Sequence, residues 1–186
     1  SLTPRDHVVF LYLWNEYYES LREALTPPLV RLAQTVGSPR RAHELLHSRL
    51  LSQRILAVVT LGRLQEQSAW TQLSPLLTHH NSFLAFSAAQ ALLRIDPKAA
   101  LPLLLPVLGQ RTDWSPLKIV SMLQIVGRDL AAEALARAAI QGSSDISSRL
   151  LRYLPVTKSR RGLPILRQFL QDTPPSATML AACLFV

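Results

Sequence analysis

Residues 54–62, which read Arg54-Ile-Leu-Ala-Val-Val-Thr-Leu-Gly62, decide the fold because their apolar positions recur along the chain at steps of 31 residues. One apolar column consists of Ala57, Ala88, Ile119, Leu150 and Ala181. A second, four positions further on, consists of Leu61, Leu92, Leu123, Leu154 and Phe185. Chance does not hold such a register over five units, so the sequence predicts an internal repeat.

Another set of columns lies about fifteen residues away and shows the same period. Its clearest column consists of Leu11, Ala42, Leu73, Leu104, Leu135 and Leu166. Within each unit the apolar residues are three and four apart, which indicates one buried stripe along a helix. Turn-forming residues separate the two sets, and no segment shows the period-two alternation of a strand. The sequence therefore predicts an all-α protein of helix pairs.

The second helix of each predicted pair carries a recognisable pattern: a basic residue, an alanine three positions later, and then Leu-Gly. Arg54, Ala57 and Leu61-Gly62 show it best. This pattern resembles HEAT repeats of the short kind found in phycobilin-lyase-like proteins. The resemblance implies a right-handed α-α superhelix, or solenoid, of about five HEAT-like helix pairs. We expect residues 38–186 to form one continuous repeat domain and residues 1–37 to form an N-terminal helical cap.

Composition favours acidic partners. The chain has 20 Lys and Arg against 12 Asp and Glu, a formal net charge of +8. Nucleic acid, anionic lipid or an acidic protein face would complement this charge, although a soluble Arg-rich surface is an equal alternative. The single cysteine, Cys183, excludes an intrachain disulfide and is compatible with a reducing compartment. We therefore expect a cytoplasmic location.

Both ends of the sequence suggest a fragment of a longer protein. The chain starts at Ser1 without methionine and stops at Phe185-Val186 inside an apolar helical pattern. The longest apolar run, residues 99–108, is too short to cross a bilayer, so we expect no membrane span. The apolar segment 7–14 could follow a removed N-terminal anchor, which would tether the full-length protein to a membrane. The competing interpretation is a hydrophobic cap helix.

The string His43-Glu44-Leu45-Leu46-His47 matches the H-E-x-x-H pattern of zinc proteases. On a helix this spacing places two imidazoles on one face, so His43 and His47 are candidate metal ligands. Arg40 and Arg41 would repel a dication, however, and the string lies in register with a repeat's first helix. We therefore expect a solvated helix face there and neither a metal nor any other cofactor.

The outward face of the second helices is the predicted binding site, because these helices line the concave side of such solenoids. We expect a basic concave groove formed by Arg63, Phe83, Ser87, Gln90, Arg94, Trp114, Lys118, Ser121, Arg149 and Arg152. Arginine and tryptophan are frequent interface anchors. The alternative is that these residues are only the polar exterior that every helix has.

Two functions fit this groove. The first is a non-catalytic scaffold that binds a protein partner through an acidic segment. The second is nucleic-acid binding, including a DNA-repair role similar to HEAT-repeat alkylpurine glycosylases, with Asp113 and Trp114 as a partial match. We identify no nucleophile, phosphate-binding loop or acid-base pair that would support an enzyme.

Overall fold

The structure is a computed structural model that describes residues 3–20, 26–141 and 144–172. These ranges contain eleven α-helices, three short 3-10 helices and no strand. The predicted all-α class is confirmed. The second helix of the fifth predicted pair, with Ala181 and Phe185, lies outside the described residues.

The chain divides into two compact units, Ser1–Ile95 and Asp96–Val186. The boundary falls inside residues 38–186, which the repeat pattern predicts as one domain. The helices of unit 1 are α1 (Pro4–Ser20), α2 (Thr26–Thr35), α3 (Ser38–Leu45), α4 (Leu51–Arg63), α5 (Trp70–Leu73) and α6 (Ser82–Ile95). The helices of unit 2 are α7 (Pro97–Gln110), α8 (Pro116–Val126), α9 (Arg128–Gln141), α10 (Ser144–Leu151) and α11 (Leu163–Asp172).

In unit 1, α4 is the central helix and packs against α1, α3 and α6. The apolar column residues Ala57, Leu61, Ala88 and Leu92 are fully buried there. Gly62 allows α4 and α6 to approach closely, because a Cβ atom built on it would lie 2.5 Å from the Cα atom of Ala91. The Leu-Gly pair of the repeat pattern therefore has a packing role.

Helix pairs recur near the predicted spacing, but not uniformly. The second helices begin at Leu51, Ser82, Pro116 and Ser144, which are 31, 34 and 28 residues apart. The first helix of the second pair is interrupted, because the four-residue α5 is followed by a 3-10 helix, Ser74–Thr78. Pro75 lies in that segment and lacks the amide N–H that an α-helix requires there.

In unit 2, α9 is the central helix and packs against α7, α8, α10 and α11. Helix α10 also packs against α7, where a Cβ atom on Gly109 would lie 2.6 Å from Cγ2 of Ile146. Three helices, α7, α9 and α10, are thus in mutual contact. This arrangement positions the groove described below.

Side-chain caps explain where several helices begin. The Asn81 side chain accepts a hydrogen bond from the amide of Leu84 at 3.1 Å at the start of α6. Asp96 accepts bonds from two amides at the start of α7. Ser115 caps α8, and the nearby Asp113 is paired with Arg111 instead.

Candidate functional site

Arg63, expected to line an exposed groove, is buried instead. Its side chain is only 5% exposed and lies between α4 and α1. Its guanidinium donates hydrogen bonds to the backbone oxygen of Asn15, to Asn15 Oδ1 at 2.9 Å and to Glu19 Oε1. The prediction of exposure fails because α1 covers this end of α4 and supplies acceptors for the guanidinium.

The contacts of Arg63 belong to a larger polar network between α1 and α4. Asn15 Nδ2 donates to Thr60 Oγ1 at 2.8 Å, and Thr60 Oγ1 donates to the backbone oxygen of Leu56 at 2.7 Å. The Arg63 guanidinium also lies 5.2 Å from the ring centroid of Tyr18. Every one of these contacts is internal to unit 1, so the network positions α1 against α4.

Arg94 lies near this network, so the structure brings the predicted groove residues Arg63 and Arg94 together. Burial lowers the pKa of Arg63, Glu19 partly offsets that effect, and the positive charge of Arg94 lowers it further. Burial also lowers the pKa of Arg94, and Tyr18 and Glu19 act in the opposite direction. Acidic and tyrosine groups of α1 therefore favour the charged form of both guanidiniums.

The other predicted groove residues of unit 1 lie on α6. Phe83 is 64% exposed at the start of the helix, whereas Ser87 and Gln90 are half-buried. These positions are accessible to a partner. Arg94 is half-buried like Ser87 and Gln90, whereas Arg63 is buried, so this face of unit 1 offers less positive charge than the sequence predicts.

Trp114 is likewise buried, with 2% of its surface exposed, and is not the rim aromatic that the sequence predicts. The guanidinium of Arg111 lies 5.1 Å from its ring centroid. Arg111 also binds Asp113 with two hydrogen bonds, of 2.9 and 2.7 Å. Arg149 donates to the backbone oxygen of Arg111. The structure thus brings Trp114 and Arg149 together, but in a cluster that joins α10 to the turn before α8.

Three predicted groove residues of unit 2 remain. Lys118 is half-buried and Ser121 is exposed, both on α8. Arg152 is exposed in the turn after α10. Their accessibility fits a binding role, which stays a prediction.

The two candidate metal ligands lie in different local structures. Helix α3 ends at Leu45, so His47 lies in the following turn and is exposed. The two ring nitrogens of His43 are hydrogen-bonded to Gln72 Oε1 at 3.0 Å and to Ser68 Oγ at 3.1 Å. Glu44, the base of the pattern, forms ion pairs with arginines of its own helix. Hydrogen bonding to Arg41 lowers the pKa of Glu44.

Two general properties of the described ranges bear on function. Among residues 3–20, 26–141 and 144–172, no three His, Cys, Asp or Glu side chains are grouped so that they could hold a metal ion. In the same part of the chain, no helix has the length and apolarity that a bilayer crossing requires.

Unit 2 contains an open groove that the sequence analysis did not identify. It has a volume of about 690 Å³ and lies between α7, α9 and α10. We call it the α7–α9–α10 groove. Its apolar walls are formed by Leu101, Pro102, Leu105, Leu130, Ala134, Ala138, Ile146 and Leu150.

Small and proline residues leave this groove open. Ala134 and Ala138 are four residues apart on α9 and present only methyl groups, and Pro102 and Pro106 are four apart on α7. Residues four apart lie on one helix face. The same spacing of four residues occurs for the alanine pair on α9 and for the proline pair on α7, and this pattern is the sequence signal that could have indicated the groove.

Charged side chains border the α7–α9–α10 groove. Lys98, Glu133 and Arg137 lie along it. Arg137 and Glu133 form an ion pair at 3.9 Å, with 69% of the arginine side chain exposed. Two cations and one carboxylate therefore give the border a net positive charge beside an apolar floor.

A second apolar surface lies on α1 in unit 1. Val9, Tyr12, Leu13 and Tyr17 are each about half exposed. Positions 9, 13 and 17 are four apart and lie on one face of the helix. We call this set the α1 stripe.

Neither a protein-family model nor a curated protein matches the chain.

Proposed function

We propose that this protein is a non-catalytic binding scaffold whose α7–α9–α10 groove receives an amphipathic helix with acidic residues from a protein partner. The observation that carries the proposal is the groove itself: an apolar trough of about 690 Å³ with Lys98 and Arg137 on its border. Concave, mostly apolar sites with a few polar groups at their border are typical of binding sites.

The shape of the groove favours a helical occupant. Two of its walls are 14-residue helices, α7 and α9. At 1.5 Å per residue each is about 21 Å long, enough to accompany three to four turns of a bound helix. A bound helix would place apolar residues three and four apart on Leu101, Leu105 and Ile146.

The charge of the groove favours acidic residues beside that apolar face. Lys98 and Arg137 exceed Glu133 by one positive charge, and the whole chain carries +8. Charge complementarity at a rim raises association rates and excludes partners of like charge. The HEAT-like superhelix remains part of the proposal, since repeat solenoids present extended binding surfaces.

The test is a selection from a library of helical peptides displayed on phage, with the full chain as the target. We expect selected peptides to combine apolar residues at positions i, i+3, i+4 and i+7 with acidic flanks. Ala134→Trp should weaken their binding at least about 30-fold, because the indole would occupy the space of one buried anchor. Gln124→Trp, on the exposed face of α8, is the matched control and should bind normally.

A second variant covers the case in which Ala134→Trp does not fold. Lys98→Glu with Arg137→Glu changes only exposed side chains and should preserve the fold. It should reverse the preference from acidic to basic flanks. The proposal would be refuted if the selected peptides bound all variants equally. It would also be refuted if the groove bound only small apolar molecules and no peptide.

A further inference from the structure

Residues 146–171 carry a strong excess of positive charge. This segment contains Arg149, Arg152, Lys158, Arg160, Arg161 and Arg167 and no Asp or Glu. A run of like charges is unfavourable for compaction unless a partner of opposite charge balances it. The last four of these residues lie outside the groove that the repeat pattern predicts.

The turn before α11 is held in one conformation beside the start of α9. Ser159 Oγ donates to Asp129 Oδ1 at 2.6 Å, and the amide of Arg161 donates to Ser159 Oγ at 3.2 Å. Lys158 has a left-handed backbone conformation with φ 51°, which is uncommon for a residue other than glycine. These contacts place Lys158, Arg160 and Arg161 near Arg128, which precedes Asp129.

Arg128, Lys158, Arg160 and Arg161 are exposed. Within the described ranges no carboxylate is close enough to form an ion pair with any of them. Asp129 is the neighbouring acidic group, and one of its oxygens already accepts the Ser159 hydroxyl. Four positive charges are therefore presented to solvent at one place.

Apolar side chains flank these charges. Val156, in the 3-10 helix Pro155–Thr157, is 41% exposed, and Leu163, the first residue of α11, is 38% exposed. Tyr153, an aromatic that could stack on a base, is buried at 9% exposure. Cations next to exposed aliphatic groups match the interface of an anionic bilayer, whereas nucleic-acid surfaces usually add aromatic groups.

We propose that this surface, the basic turn, docks the protein onto a bilayer rich in anionic phospholipids. The cations would contact lipid phosphate and carboxylate groups while Val156 and Leu163 enter the boundary between headgroups and acyl chains. The basic turn consists of Arg128, Val156, Lys158, Arg160, Arg161 and Leu163. It is separate from the α7–α9–α10 groove, so a docked scaffold could still hold its partner.

The test is co-sedimentation of the full chain with vesicles of phosphatidylcholine alone and with about 30% phosphatidylserine. Binding should require the anionic lipid and fall as salt is raised from about 0.1 to about 0.5 M. Each basic residue at such a surface contributes about fivefold to the partition coefficient. Arg160→Gln with Arg161→Gln should therefore reduce binding about 30-fold.

The matched control is Arg31→Gln with Arg49→Gln, which removes the same charge from exposed positions of unit 1 and should reduce binding much less. Val156→Ser with Leu163→Ser should weaken vesicle binding without changing net charge. If both double arginine variants lost the same amount of vesicle binding, the proposal would be overturned, because only the net charge of the protein would then matter. The proposal would also be overturned if the protein bound a nucleic-acid duplex more tightly than the vesicles and the double serine variant bound that duplex as the wild type does.

Discussion

Replacing Arg63 by alanine tests whether this residue is structural or a binding residue. The substitution leaves the backbone oxygen and Oδ1 of Asn15 without their donors, and Asn15 is itself buried. Each buried acceptor that loses its partner costs about 1–3 kcal/mol. The pair with Glu19 adds little, because the Glu19 side chain is 72% exposed and its charge is screened by water.

Two such acceptors lead us to expect that Arg63→Ala lowers the free energy of unfolding of unit 1 by about 2–6 kcal/mol. Glu19→Gln should lower it by less than about 1 kcal/mol. Hydrogen exchange measured by mass spectrometry is the appropriate assay, since it reports the opening of α1 and α4 separately from unit 2. In Arg63→Ala, amides of both helices should exchange faster, while those of α9 should not change.

Arg49→Ala is the control, because Arg49 is exposed just before α4. It should leave the exchange of α1 and α4 unchanged. If Arg63→Ala behaved like Arg49→Ala, the guanidinium would not hold α1 in place. The interpretation of Arg63 as an exposed groove residue would then be restored.

Three further substitutions test other parts of the account. Gly62→Ala should lower the free energy of unfolding by about 1–2 kcal/mol in urea titrations, because the overlap of the methyl group with the backbone of Ala91 should outweigh the gain in helix propensity. A stabilised variant would contradict the close approach of α4 and α6. Calorimetric titration should show no stoichiometric zinc binding by the wild type or by His43→Ala, because both ring nitrogens of His43 already have hydrogen-bond partners. A tight zinc site that is present in the wild type and lost in the variant would restore the metal hypothesis. Glu44→Gln should lower the Tm above pH 4.5, because a pKa held below 4.5 by Arg41 stabilises the fold there. The difference in Tm should shrink as the pH falls below 4.5, and a difference that does not change with pH would refute the ion pair.

The helical class and the approximate positions of the helix pairs could be predicted from the sequence. Apolar spacing reports burial directly, and Ala57, Leu61, Ala88 and Leu92 are in the core as their columns predict. The uneven starts of the second helices were not predictable in this way. They depend on local turn chemistry, such as the choice of Ser115 as the cap of α8.

The binding residues were harder to predict, because a polar residue on the outer side of one helix can be covered by another. Arg63 is polar and in register, yet α1 buries it with acceptors that lie more than 40 residues away in sequence. Trp114 is buried too, but by local structure, because the guanidinium of Arg111 three residues earlier lies over its ring. The α7–α9–α10 groove could not be predicted from the positions of polar residues, because it arises from the small side chains of Ala134 and Ala138.

Methyl NMR of the full chain with one groove-selected peptide tests the central claim most directly. Titration of the peptide should shift the methyl resonances of Leu101, Leu105 and Ile146, which line the α7–α9–α10 groove. The resonances of Val9 and Leu13 on the α1 stripe should stay in place. Shifts confined to the α1 stripe, with the groove methyls unchanged, would contradict the account and move the binding site to unit 1.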